Sequence, residues 1–383
     1  MLSQSASSLM QDGRSQGDLR QGVTLEVLGE HAIGPLNPQM RREQQEAQSD
    51  IKFEVTWSTV GEHLDALVAH GISPNVAAFV AASKVRIHEL GYANRAPTTP
   101  ELDRMKALVR QAMEEGAMGL SSSLIYAPAT YAKTDEIVEL AKVAAEHGGM
   151  YISHMRSEGG ALLEAIDELL TIAHDAHIRA EIYHLKASGK ENWGKLDHAI
   201  NKVEAAQKAG LAITANMYTY TAGSTGLDAA MPPWVQEGGY KEWATRLKDP
   251  AIRLRVRREM TTPTTEWENL LLSAGGAGTL LVGFRNEALR AYTGKTLAEV
   301  AALRGKSVQD TAMDLVVEDG SRVQVVYFLM SEDNVRREVR IPWVSFGSDA
   351  SSMAAEGVFL KTSTHPRAYG NVARLLGKYV RDE

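Results

Sequence analysis

Cysteine is absent from all 383 residues. That removes disulfides, a thiolate nucleophile and thiolate metal ligands together, so any metal must be held by His, Asp, Glu or a modified Lys. It also leaves the compartment unconstrained by redox chemistry. No run approaches the roughly 18 apolar residues that span a bilayer. An excess of positive charge is lacking too: the net charge of −7 and pI near 5.9 argue against nucleic acid or an anionic membrane as the main partner. No Gly-x-Gly-x-x-Gly or P-loop follows a strand-like run, which lowers a nucleotide-binding reading. No Gly-x-Ser-x-Gly elbow is present, which lowers a serine-hydrolase one. The first ten residues, Met1 to Met10, lack the basic region and long apolar core of a signal peptide, so a cytoplasmic location is expected.

What is present is a chain that is 44% hydrophobic and long enough for two or three ordinary domains, or for one barrel with additions. Gln21 to Glu30 reads as a strand closed by Gly29-Glu30, followed by an exposed, Gln/Glu/Arg-rich excursion from about Pro35 to Asp50. A helix is expected over Val60–His70, a strand over Val76–Val80, and a helix through Glu115 with Thr99 as its cap. Beyond that the alternation is regular. Strands at 118–124, 149–154, 179–184 and 211–216 are separated by helix-patterned segments, and Tyr218–Gly226 reads as a polar loop. Strands at 279–283, 325–329 and 343–347 complete the series, with a helical excursion at about 232–272. Strand–helix alternation of this kind predicts an α/β fold with a parallel sheet, and right-handed crossovers favour a closed (β/α) barrel. We therefore expect one catalytic barrel over residues 1–383, with an insertion at about 31–60 and the excursion at 232–272.

Two of the strands end in histidine. Ile152-Ser153-His154 and Ile182-Tyr183-His184 lie one strand–helix unit apart, which places both rings at the C-terminal edge, where barrel enzymes keep their chemistry. Neutral imidazoles held close together there can bind Zn²⁺; the alternative is a pair of hydrogen-bonded histidines in a polar pocket. Asp349, in Phe346-Gly347-Ser348-Asp349, fits a carboxylate that takes a proton from metal-activated water, or else a helix N-cap. Glu30 is either a bridging carboxylate ligand or a solvated charge beside His31. Lys186 is a candidate partner for a substrate carboxylate, against an equal prospect of a structural ion pair. Tyr126 and Tyr218 are loop tyrosines suited to fixing polar substrate groups, or to packing. His174 and His177 read as solvated, and no task falls to His31, His63, His70, His88, His147 or His198.

These segments resemble the N-acyl-D-amino-acid deacylase (D-aminoacylase) family of the amidohydrolase superfamily over most of the chain. The carriers are Gln21-Gly22-Val23-Thr24, Gly119–Tyr126, Ile152–Glu158, Tyr183–Lys186, Tyr218–Thr225, Phe346–Asp349 and His365-Pro366-Arg367-Ala368-Tyr369-Gly370. The resemblance implies a TIM-like barrel of the metal-dependent hydrolase type with one or two zinc ions, cleaving the amide of a small N-acyl amino acid. It makes His154 and His184 metal ligands and Asp349 the general base and a possible ligand. Tyr126, Arg156, Lys186, Tyr218 and His365 become substrate-binding residues. Glu30 falls at about the place where relatives carry a cysteine ligand. The family's first strand carries a His-x-His motif, and nothing of that kind occurs before Gln21. The resemblance thus leads us to expect a chain truncated at both ends, its first strand and small β-sandwich largely missing. The competing expectations are a cyclic-amide hydrolase of the dihydroorotase or hydantoinase type, and a catalytically incomplete barrel fragment. Oligomeric state is left open.

Overall fold

A computed structural model describes all residues, Met1–Glu383. In chain order the first strands are β1 (Leu2–Ser3), β2 (Leu25–Leu28), β3 (Asn75–Ala78), β4 (Val80–Ala81), β5 (Gly119–Ser123), β6 (Met150–His154), β7 (Arg179–Ile182) and β8 (Ile213–Met217). An insertion then contributes β9 (Ala222–Gly226), β10 (Thr279–Gly283) and β11 (Gln324–Phe328) before β12 (Val344–Phe346).

The parallel sheet runs β12-β8-β7-β6-β5-β4. β3 and β4 form one run, interrupted at Phe79, that pairs with β2 on one side and β5 on the other. β1 pairs in parallel with β2. On its other edge Leu2 O accepts from Ser348 N at 3.0 Å, just past β12, and Gln4 N donates to Ala350 O at 3.0 Å. Hydrogen bonding therefore continues around eight strand positions, and the sheet closes. This corrects the expectation of a missing first strand: Leu2-Ser3 fills that position, and Gln4 follows it. Two residues of strand carry too little periodicity to be recognised in a sequence. No β-sandwich occurs among the elements of residues 1–383.

Helices cover the outside of the barrel because each presents an apolar stripe at helical spacing. In Thr134–Glu146 the residues Ile137, Leu140, Ala141 and Ala144 are all buried. The Thr99–Glu114 helix starts from a capping box between Thr98 and Glu101, one residue before the expected cap. The 35–50 stretch is not simply exposed: it holds a helix, Pro38–Glu46, with Met40 buried. Inside the barrel, Leu2, Phe79, Ile152 and Tyr183, from four different strand positions, form a buried plug beneath the strand ends.

The strands expected at 279–283 and 325–329 are present but do not join the parallel sheet. They form an antiparallel sheet, β10-β11-β9, with a strand from the stretch read as loop. A strand's pattern records burial and not the direction of its partner, so the series looked uniform. Together with helices at 240–274 and 297–319 they make an insertion between β8 and β12 with its own apolar core. The insertion is larger than the excursion expected at 232–272. No helix of the chain is long and apolar enough to cross a membrane.

Candidate metal centre

The C-terminal mouth of the barrel gathers Glu30, His154 and His184. All three are buried, and their ligand-type atoms lie within 4.8 Å of one another. Glu30 Oε1 lies 2.8 Å from His154 Nδ1 and 3.0 Å from His184 Nε2. His154 reaches the interior by strand alternation, two residues after Ile152. His184 does not, since Tyr183 already faces the interior plug. A left-handed backbone at His184 (φ 39°) lets the next side chain turn inward as well, and Glu30 (φ 52°) and Asp349 (φ 47°) share this conformation. Three of the six non-glycine residues with positive φ thus stand at this mouth. Such strain of about 1–3 kcal/mol per residue concentrates at functional sites.

Electrostatics tie the cluster together. Burial opposes ionisation of Glu30, but hydrogen bonds from His154 and His184 outweigh it and hold its carboxyl well below the usual carboxylate range. Glu158 Oε1 lies 2.7 Å from His184 Nδ1 and 2.6 Å from Lys186 Nζ. Burial again disfavours the Glu158 anion, and the Lys186 ammonium beside it reverses that and lowers its pKa. Glu158 Oε1 and Lys186 Nζ thus both lie against the far nitrogen of His184, Nδ1, at 2.7 and 2.6 Å, and fix the position of the ring. The Asp349 carboxylate lies 3.9 Å from His184 Nε2 and 2.9 Å from Arg367 Nη1.

The donor set suits zinc: two imidazoles and a carboxylate leave a fourth position open, the pattern of catalytic zinc sites. Buried His154 Nε2 has no hydrogen-bond partner, while Nδ1 faces Glu30. Nothing comparable surrounds a second metal. Gln4 Nε2 donates to Glu30 Oε2 at 2.6 Å and to Asp349 Oδ1 at 3.3 Å, so a carboxamide bridges the two carboxylates that such an ion would need.

The residues singled out in the sequence separate here. Tyr126, Lys186, Tyr218 and His365 line the cavity of about 490 Å³ above the cluster. Tyr126 packs edge-on against His154, with ring centroids 5.2 Å apart. Lys186 is engaged by Glu158, the ion-pair alternative left open in the sequence. His365 is tied to backbone on both sides: Nε2 lies 2.9 Å from Ala222 O, and Nδ1 accepts from Arg367 N at 3.0 Å. It therefore braces Arg367. Arg156 is not brought to this cavity. Its guanidinium bonds Glu168 at 2.8 and 2.9 Å and the carbonyls of Thr130 and Ala132. The helix carrying Glu168 supplies a nearer carboxylate than any at the mouth.

Sequence reasoning passed over three residues. Arg367 is 3% exposed, ion-paired to Asp349, and sits 4.4 Å above the Tyr218 ring. It lay in the same motif as His365, and its permanent charge next to a chemistry-bearing loop was the signal available. Glu158, four residues after His154, and Gln4 carried no spacing signal.

The barrel is similar in fold to a protein described as an amidohydrolase. No family model matches the chain. It is 30% identical over 371 residues to a D-aminoacylase of Alcaligenes xylosoxydans xylosoxydans, covering 95% of this chain and 64% of that protein. It is 26% identical over 362 residues to an N-acyl-D-glutamate deacylase of the same organism, covering 94% and 63%. Among solved structures it is similar to a D-aminoacylase described as defining a novel subset of amidohydrolases, with 28% identity, TM-score 0.73, and 98% and 68% of the two chains covered. A second D-aminoacylase structure, with a binuclear metal centre in which one metal activates and the second attenuates, gives 28% and 0.75 over 100% and 69%. The fold also matches an N-acyl-D-glutamate deacylase from Bordetella bronchiseptica complexed with zinc and a phosphonate inhibitor, at 23% identity and TM-score 0.75 over 99% and 69%. The chain is thus similar to N-acyl-D-amino-acid deacylases over most of its length, as its motifs led us to expect, and spans 64% of the length of that curated D-aminoacylase.

Proposed function

We propose that this chain is a zinc-dependent amide hydrolase that converts an N-acyl-D-amino acid and water to the D-amino acid and a carboxylate. The convergence of Glu30, His154 and His184 at the barrel mouth, beside Asp349, carries this reading. Those three residues would hold one zinc ion, which when bound would polarise the scissile carbonyl and lower the pKa of water. Asp349 accepts the proton of the attacking water and returns it to the leaving nitrogen. Arg367 and Tyr218 receive the substrate carboxylate, and Lys186 adds positive charge behind Tyr218, 5.5 Å from its ring. Tyr126 closes the opposite wall. The cyclic-amide alternative gains nothing from the geometry, since the group bridging the histidines is Glu30 and not a lysine.

Elemental analysis is expected to find one zinc per chain, and hydrolysis of N-acetyl-D-amino acids is expected to exceed that of the L-enantiomers. A metal-free protein with an intact fold, or two zinc ions per chain, contradicts this reading. Carboxylate recognition has its own test. N-acetyl-D-methionine is expected to be hydrolysed about 10²-fold more efficiently than its uncharged C-terminal amide, because a charge-assisted hydrogen bond is worth about 1.5–3 kcal/mol. Arg367→Gln is expected to erase most of that ratio; an unchanged ratio of kcat/KM values would remove Arg367 from substrate binding.

A further inference from the structure

The metal cavity has a side chamber that the proposed reaction has not used. About 260 Å³ in volume, it opens beyond Tyr126, and His31, Tyr126 and Arg322 line both spaces. Its remaining wall comes from the loop after β5, from the start of the Ala82–Leu90 helix and from the insertion. The charges on that wall cancel, as Arg322 Nε lies 2.8 Å from Asp228 Oδ1. Gln236 and Tyr240 spend their donors on backbone carbonyls of Asp228 and Val316, at 3.0 and 2.8 Å. Four lining atoms lack a hydrogen-bond partner, Asp228 Oδ1 and Arg322 Nε of that ion pair and two neutral ones. Ser83 Oγ and Trp243 Nε1 are buried without a hydrogen-bond partner, in residues only 7% and 3% exposed.

The order of groups says which part of the substrate enters. Across the mouth lie Arg367, Tyr218, His184, His154 and Tyr126, with Arg367 4.4 Å above the Tyr218 ring. Ring centroids are 6.3 Å apart from Tyr218 to His184, 4.4 Å to His154 and 5.2 Å to Tyr126. A carboxylate at Arg367 and an amide carbon between the histidines put the amino-acid half, including its side chain, on the Arg367 side. The acyl substituent leaves the carbonyl carbon in the opposite direction, toward Tyr126. We propose that the chamber beyond Tyr126 is an acyl pocket for an uncharged chain or ring larger than acetyl, such as hexanoyl or phenylacetyl. This rests on the hydrolase reading above. The one cation on this wall, Arg322, is already paired with Asp228, which disfavours a dicarboxylic acyl group.

The test separates the two readings by using binding and turnover together. N-acetyl-, N-hexanoyl- and N-phenylacetyl-D-methionine are titrated calorimetrically into EDTA-treated protein, in which nothing turns over, and hydrolysed by the zinc-loaded protein. With each buried methylene worth about fourfold, the longer acyl groups are expected to bind at least about 10-fold tighter than acetyl. Ser83→Phe and, as a second filling of the same space, Ala129→Leu are expected to abolish that gain. Both are expected to keep wild-type binding and hydrolysis of N-acetyl-D-methionine. Failure of hydrolysis with the binding gain intact defeats the hydrolase reading and leaves the pocket standing. Equal binding of all three acyl groups overturns the pocket. So does a Ser83→Phe variant whose discrimination changes across N-acetyl-D-alanine, -leucine and -phenylalanine, because the chamber would then hold the amino-acid side chain.

Discussion

His184→Ala is expected to leave the protein with less than about a tenth of an equivalent of zinc and to lower kcat/KM by about 10³-fold or more. The set Glu30, His154 and His184 has no spare member, so removal of one leaves two ligands, fewer than a catalytic zinc site uses. The second nitrogen of His184 is held by Glu158 at 2.7 Å and by Lys186 at 2.6 Å, so the position of its ring is fixed in advance. Its loss removes a pre-oriented ligand as well as a donor atom. The variant still contains the Lys186–Glu158 pair, so the barrel is expected to remain folded by circular dichroism. Zinc at wild-type stoichiometry in that folded variant would show that the metal, if bound, sits elsewhere.

Asp349→Asn is expected to retain zinc and lose about 10³-fold in kcat, within the 10²–10⁴ range of general acid–base catalysis. The substitution is isosteric. A carboxamide keeps the size of the group 2.9 Å from Arg367, while the ability to take up a proton is gone. A kcat within a few-fold of wild type, with zinc bound, would take Asp349 out of the proton-transfer role. The two variants thus separate metal binding from proton transfer by one measurement each of zinc and of kcat.

Strand–helix alternation announced a parallel α/β fold because each strand is buried on both faces and each helix on one, and these two burial patterns are local properties of sequence. The spacing of His154 and His184 placed both rings on one edge for the same reason, since neighbouring parallel strands share their C-terminal end. The motifs around Tyr126, Tyr183 and Phe346 added the family. Position in space was a different matter. Whether Glu30 was a ligand or a solvated charge depended on a left-handed backbone that carries its side chain between two histidines 124 and 154 residues away. Whether Lys186 or Arg367 faces the cavity with its charge least committed depended on where Glu158 and Asp349 lie, and Arg156 was drawn off by Glu168. The first strand and the antiparallel direction of β10 and β11 were equally out of reach. Sequence records how a segment is buried, so it determined the strands, the edge and the pair of histidines. Only the closed barrel, by bringing residues from distant strands to one mouth, decided which charges meet, which cancel, and that one carboxylate stands between the two rings.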